Sequence, residues 1–134
     1  MATIKSYSDV QQSKKLAEIL PLESADQTWA RIAIAGANLD VPEEMQYRHN
    51  GDMPFQYYSG IGIPCWSLAT LVSVLPRFIE YKGDKYYLRF MKEYIEYAND
   101  EVSITGRCLH TTGNNNLVDA CYEMVIRLNE LKML

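Results

Sequence analysis

The chain has 134 residues and a mass of 15.4 kDa, which suits one domain and excludes a two-domain enzyme built around a large interdomain cleft. Apolar and aromatic residues make up 48% and charged residues 22%, a balance that excludes disordered, collagen-like and coiled-coil chains. The formal net charge is −4, and Lys14-Lys15 is the one adjacent basic pair, so no basic groove for nucleic acid is expected.

Ser8-Asp9 supplies cap residues for a surface helix running to about Leu20, where Pro21 stops it. The run Thr28 to Ala35 mixes β-branched, aromatic and small residues and predicts a strand. Gly36-Ala37-Asn38 breaks it, and Asn38 to Gly62 reads as irregular because it holds Pro42, Asn50-Gly51, Pro54, Gly60 and Gly62. Within that stretch, alternation around Phe55 and Tyr57 suggests a short strand at about 53–58.

Ile63 to Pro76 predicts the central helix. Pro64 suits its first turn and Pro76 ends it, while Leu68, Leu71, Val72 and Leu75 fall at helical spacing and Cys65, Trp66, Ala69 and Val74 widen the apolar surface. Two alternating runs about Lys82-Gly83-Asp84 then predict a β-hairpin. Residues 84–98 also fit a helical stripe through Tyr87, Phe90, Met91, Tyr94, Ile95 and Ala98, but their Tyr, Phe and Ile content favours strands. A further β-like run begins at Val102–Thr105, and Gly106 to Asn115 reads as a polar loop. Asn116 caps a last amphipathic helix that carries Leu117, Cys121, Met124, Val125, Leu128 and Leu131. The expected fold is α+β: a small antiparallel sheet packed with about three helices in a single domain.

Lys5, Asp9, Lys14, Lys15 and Glu18 interrupt any secretory leader, and the longest nearly apolar run, Ile61 to Leu75, is too short to cross a bilayer. A cytoplasmic protein with no membrane partner is expected. Cys65, Cys108 and Cys121 are odd in number and lack C-x-x-C spacing, which suits reduced thiols and argues against a disulfide framework or a four-ligand zinc site. No phosphate-cradling glycine motif is present, so no cofactor or metal is expected.

The segments L-A-E-I-L-P-L-E-S-A-D (16–26), I-P-C-W-S-L-A-T-L (63–71) and N-L-V-D-A-C-Y-E-M-V-I-R-L-N-E-L (116–131) resemble a family of small gut-bacterial proteins, often encoded near phage or mobile-element genes. These blocks cover 36 of the 134 residues. The resemblance implies a phage or accessory cytoplasmic protein, and it implies no activity, cofactor or catalytic residue.

Two constellations carry the functional expectations. A thiol in the first turn of a helix feels the positive end of the dipole, so Cys65, with His49 or His110 as base and Asp26 or Asp52 to orient it, is a candidate Cys/His/Asp set for a hydrolase or transferase. The simpler reading of Cys65 is a small buried hydrophobe. Cys108 and His110, with Cys121 or His49, make at most three metal ligands. Glu23 with Asp26, and the His49 to Asp52 segment, read as turns.

The second constellation is the tyrosines: ten, beside three Phe and two Trp, with eight of the ten between Tyr47 and Tyr97. Exposed tyrosine gives contact area with a hydrogen-bonding tip at small entropic cost. Tyr57, Tyr58, Tyr86 and Tyr87 are therefore the expected interaction surface, for an unknown protein partner or for self-association. The leading expectation is a protein-interaction module, not an enzyme.

Overall fold

A carboxylate begins the first helix. In the computed structural model, which describes residues 5–34, 37–44, 63–92, 94–99, 108–113 and 116–134, Asp9 accepts the Gln12 amide at 2.8 Å and the Gln12 side chain accepts the Asp9 amide at 3.0 Å. This reciprocal capping box starts α1 (Val10–Ile19). The fold is α+β, with three α-helices and antiparallel sheets among the described residues. The chain divides into two units, Tyr7–Thr70 and Met1–Ser6 with Leu71–Leu134, and each is described in turn.

In the first unit, α1 is followed by a 3₁₀ turn at Leu22–Ser24 and by β1 (Gln27–Ile34), β2 (Ala37–Glu44) and β3 (Ile63–Cys65). The sheet order is β2-β1-β3, antiparallel throughout, with Ile32 opposite Leu39 and Thr28 opposite Pro64. The segment expected to be irregular from Asn38 thus begins as a strand. Pro42 does not prevent this, because β2 lies at a sheet edge where a missing N–H costs no ladder bond. Pro64 sits in the other edge strand for the same reason. The short strand expected at 53–58 lies outside the described residues. Leu16, Leu20, Ala25, Trp29, Cys65 and Trp66 are buried, and α1 packs against β3.

The central helix is shorter than its apolar pattern: α2 spans Leu68–Val74. Its expected first turn is tied up elsewhere. The Trp66 carbonyl, which would accept the Thr70 amide in a continuing helix, accepts the Ser8 amide at 2.8 Å, and Thr70 N–H turns to the Ser67 hydroxyl at 3.4 Å. The Ser67 amide donates to Asp26 at 2.9 Å, and Asp26 also accepts the Thr70 hydroxyl at 3.2 Å. Long-range partners have taken the groups that local periodicity assigned to a helix.

In the second unit, β4 (Phe78–Tyr81), β5 (Asp84–Phe90), β6 (Tyr94–Ala98) and β7 (Cys108–Gly113) form an antiparallel sheet in that order. The β4–β5 hairpin closes on Lys82 and Gly83, both in the left-handed region at φ 51° and 83°, the type I′ geometry that matches strand twist. Asp84–Phe90 and Tyr94–Ala98 are strands, as the composition of 84–98 favours. Within the expected loop, Cys108–Gly113 is a strand: β7 pairs with β6, with a register shift at Tyr97/Ala98. The run expected to begin at Val102 lies outside the described residues.

Asn116 accepts the Asp119 amide at 2.8 Å and opens α3 (Leu117–Glu130). Val118, Ala120, Cys121, Met124, Val125 and Leu128 are buried, and α3 packs on β6 and β7. Leu131, expected on the buried stripe, is exposed. The helix ends in a Schellman motif, Met133 N–H to Leu128 C=O at 2.8 Å and Lys132 N–H to Asn129 C=O at 3.1 Å, with Lys132 at φ 57°.

Candidate functional site

Because β3 ends at Cys65, opposite Gln27, and the next residue, Trp66, is hydrogen-bonded to Ser8 through its amide and its carbonyl, the candidate thiol is held in strand geometry inside the first unit. It does not stand in the first turn of a helix, so the dipole expected to acidify it is absent. Cys65 has no exposed surface. Its Sγ lies 3.5 Å from the Ser8 carbonyl, 3.7 Å from Gln27 Oε1 and 3.8 Å from Ser8 Oγ. Burial above all, partly offset by hydrogen bonds with Ser8 and Ser13 and helped by the carboxylates of Asp26 and Asp9, pushes the thiol up to about 11. At neutral pH it is protonated, whereas a nucleophile needs the thiolate.

The surrounding polar atoms satisfy one another. Ser8 Oγ and Ser13 Oγ are 2.7 Å apart, Trp29 Nε1 donates to Ser13 Oγ at 3.0 Å, and Trp66 N–H donates to Ser8 Oγ at 3.1 Å. Trp66 Nε1 donates to Ser24 Oγ at 2.9 Å, and Tyr7 meets Trp29 edge-on, ring centroids 5.8 Å apart. Such a closed network gives a buried segment one preferred conformation. Asp26 is engaged in starting α2.

The other candidates are placed as follows. Cys121 is buried on α3, where loss of solvation pushes its thiol up to about 12. His110 lies on β7 opposite Tyr97, and Cys108 opposite Ala98. His49, Asp52, Tyr57 and Tyr58 lie outside the described residues. Among the described residues no cluster of three or more His, Cys, Asp or Glu side chains is arranged to hold a metal, and no helix is long and apolar enough to cross a membrane.

The sheet of the second unit divides the tyrosines by strand parity. Tyr86, expected on the contact surface, stands opposite Ile79 and is buried with it. Tyr97 is likewise buried and donates to the Pro76 carbonyl at 2.7 Å. Tyr87 is half-buried on the opposite face, paired with Phe78 at 6.1 Å between ring centroids. Arg89 and Glu96 form a cross-strand ion pair on that face, Nε to Oε1 at 3.0 Å, with both side chains largely covered.

Besides Phe90 on β5, two exposed aromatic rings lie one strand further out than the sequence suggests. Phe78 is 40% and Tyr81 39% exposed, both on β4, the edge strand of the sheet among the described residues. Lysines lean over their rings: Lys85 Nζ lies 4.6 Å from the Phe78 centroid and Lys82 Nζ 5.3 Å from that of Tyr81. The readable signal is the two-residue turn, which makes β4 one arm of a hairpin, combined with the alternation of Phe78, Ile79 and Glu80. No family model, curated protein or solved structure matches the chain.

Proposed function

We propose that this chain is a protein-interaction module of the cytoplasm, of phage or mobile-element origin, and that its contact surface is the aromatic edge hairpin β4–β5. The observation that carries the reading is the exposure of Phe78 and Tyr81 on an edge strand. Edge strands of sheets recruit other chains through main-chain pairing, and aromatic side chains supply most of the energy at the centres of interfaces. Free, buried thiols at Cys65 and Cys121 suit a reducing compartment. The alternative of a Cys65-dependent hydrolase or transferase gains no support from a fully buried, protonated thiol.

The reading is tested by comparing the full chain with its Phe78→Ser/Tyr81→Ser variant in analytical ultracentrifugation and in affinity capture from bacterial lysate. Association of the parent, lost in the variant while circular dichroism stays unchanged, is the expected outcome. A parent chain that is strictly monomeric and captures nothing overturns the reading.

A further inference from the structure

The β4 edge has a hydrogen-bonding phase that selects its own partner. The Leu88 amide donates to the Arg77 carbonyl at 2.9 Å, and Tyr81 and Asp84 flank the two-residue turn. Arg77, Ile79 and Tyr81 therefore point their backbone groups at β5, whereas Phe78 and Glu80 point theirs away from the sheet. An incoming strand must bond to Phe78 and Glu80.

We infer that the occupant of this edge is a second copy of the chain, paired antiparallel through β4 about a two-fold axis at Ile79, with Phe78 opposite Glu80 of the partner subunit. Two observations select this pairing. Phe78 and Glu80 both present outward backbone groups, so the two symmetric pairs are both hydrogen-bonded and give four inter-chain bonds. Lys85 stands cross-strand from Glu80 in its own hairpin, yet its ammonium leans onto the Phe78 ring, where the Glu80 carboxylate of the partner subunit would sit. Each hairpin thus supplies one cation and one anion, and symmetry makes two pairs.

The competing symmetric registers fail on the same residues. Centring on Phe78 sets Pro76 opposite Glu80; proline has no N–H, and the Pro76 carbonyl already accepts the Tyr97 hydroxyl. Centring on Glu80 sets two carboxylates face to face. The self-pairing is isologous and closes at two copies, joining two four-stranded sheets into one. A four-residue strand buries little area, so the dimer is weak, with a dissociation constant on the order of micromolar.

The inference rests on the interaction reading above and narrows its partner. The test is sedimentation equilibrium of the full chain between about 1 and 500 μM, on the parent, Glu80→Lys, Lys85→Glu and the double charge swap, with circular dichroism to show that each folds. The expected result is a parent dimer, a dissociation constant raised about tenfold to a hundredfold in each single reversal, and recovery in the swap. Amide exchange is a second readout: protection at Phe78 and Glu80 rises with protein concentration, while that of Ile79 and Tyr81 does not. A parent monomeric throughout the range, a dimer indifferent to both reversals, or concentration-independent exchange at Phe78 and Glu80 overturns the pairing. A monomer that binds a different protein through Phe78 and Tyr81 overturns this pairing and leaves the interaction reading standing; a monomer with no partner overturns both.

Discussion

Replacing Ser13 by alanine tests whether the buried polar network holds the first unit together. Ser13 is fully buried, and its hydroxyl takes the Trp29 indole N–H at 3.0 Å while bonding the Ser8 hydroxyl at 2.7 Å. Trp29 is itself buried, so water cannot replace the lost acceptor. A stranded buried donor costs about 1–3 kcal/mol, against about 1 kcal/mol for an ordinary hydrogen bond exchanged with solvent. Ser13→Ala is expected to lower stability by about 2 kcal/mol. Trp29→Phe removes the donor and some packing, so Ser13→Ala made in that background strands nothing on the indole side and should cost about 1 kcal/mol less. Urea unfolding followed by far-ultraviolet circular dichroism gives all four free energies and avoids reliance on tryptophan fluorescence. Equal costs for Ser13→Ala in the two backgrounds would refute the reasoning.

Three further expectations use independent features. The thiols of Cys65 and Cys121 are raised from 9.0 to about 11 and about 12; the unfolded chain loses these protons first, so stability is full below pH 9 and falls as pH rises from 9 toward 11 and 12, by about 1.4 kcal/mol per pH unit for each thiol. Urea midpoints at pH 8, 9 and 10 check this against a Cys65→Ala/Cys121→Ala control, whose alkaline slope should be shallower. At two of the three left-handed positions among the described residues the expected signs differ: Gly83→Ala destabilises by about 1 kcal/mol although an added Cβ meets nothing within 4 Å, and Lys132→Gly, just past α3, stabilises by up to about 1 kcal/mol, both readable in thermal melts. Asp26→Ala, which strips the Ser67 amide of its acceptor and leaves the Thr70 hydroxyl to the Ser67 carbonyl at 3.0 Å, should cost about 1–2 kcal/mol in urea unfolding, with Asp26→Asn recovering part of it.

Local chemistry determined the elements whose signals are self-contained. Asp9 and Asn116 cap their helices with side-chain oxygens a few residues from the amides they accept, and Lys82-Gly83 sets the β4–β5 hairpin by its own dihedrals. The α+β class, the three helices of the described residues and the strand character of Asp84–Phe90 and Tyr94–Ala98 follow from such short-range patterns. Tertiary structure decided what depends on distant partners. The stretch Ala37–Glu44 became a strand because β1 pairs with it, and its alternation of Leu39 and Val41 with Asn38 and Asp40 was masked by Gly36 and Pro42. The polar segment Cys108–Gly113 became a strand because β6 supplies its ladder. Cys65 left the helix because Ser8, at a separation of 57 residues in sequence, holds it, and a backbone group bonded across the fold cannot also serve a local helix. Strand parity then turned Tyr86 inward with Ile79 and Phe78 outward, while Tyr81, on the face of Ile79, stays exposed beside the turn. The abundance of tyrosine was legible from the chain alone; which aromatic rings meet solvent was not, because that depends on which strand ends the sheet.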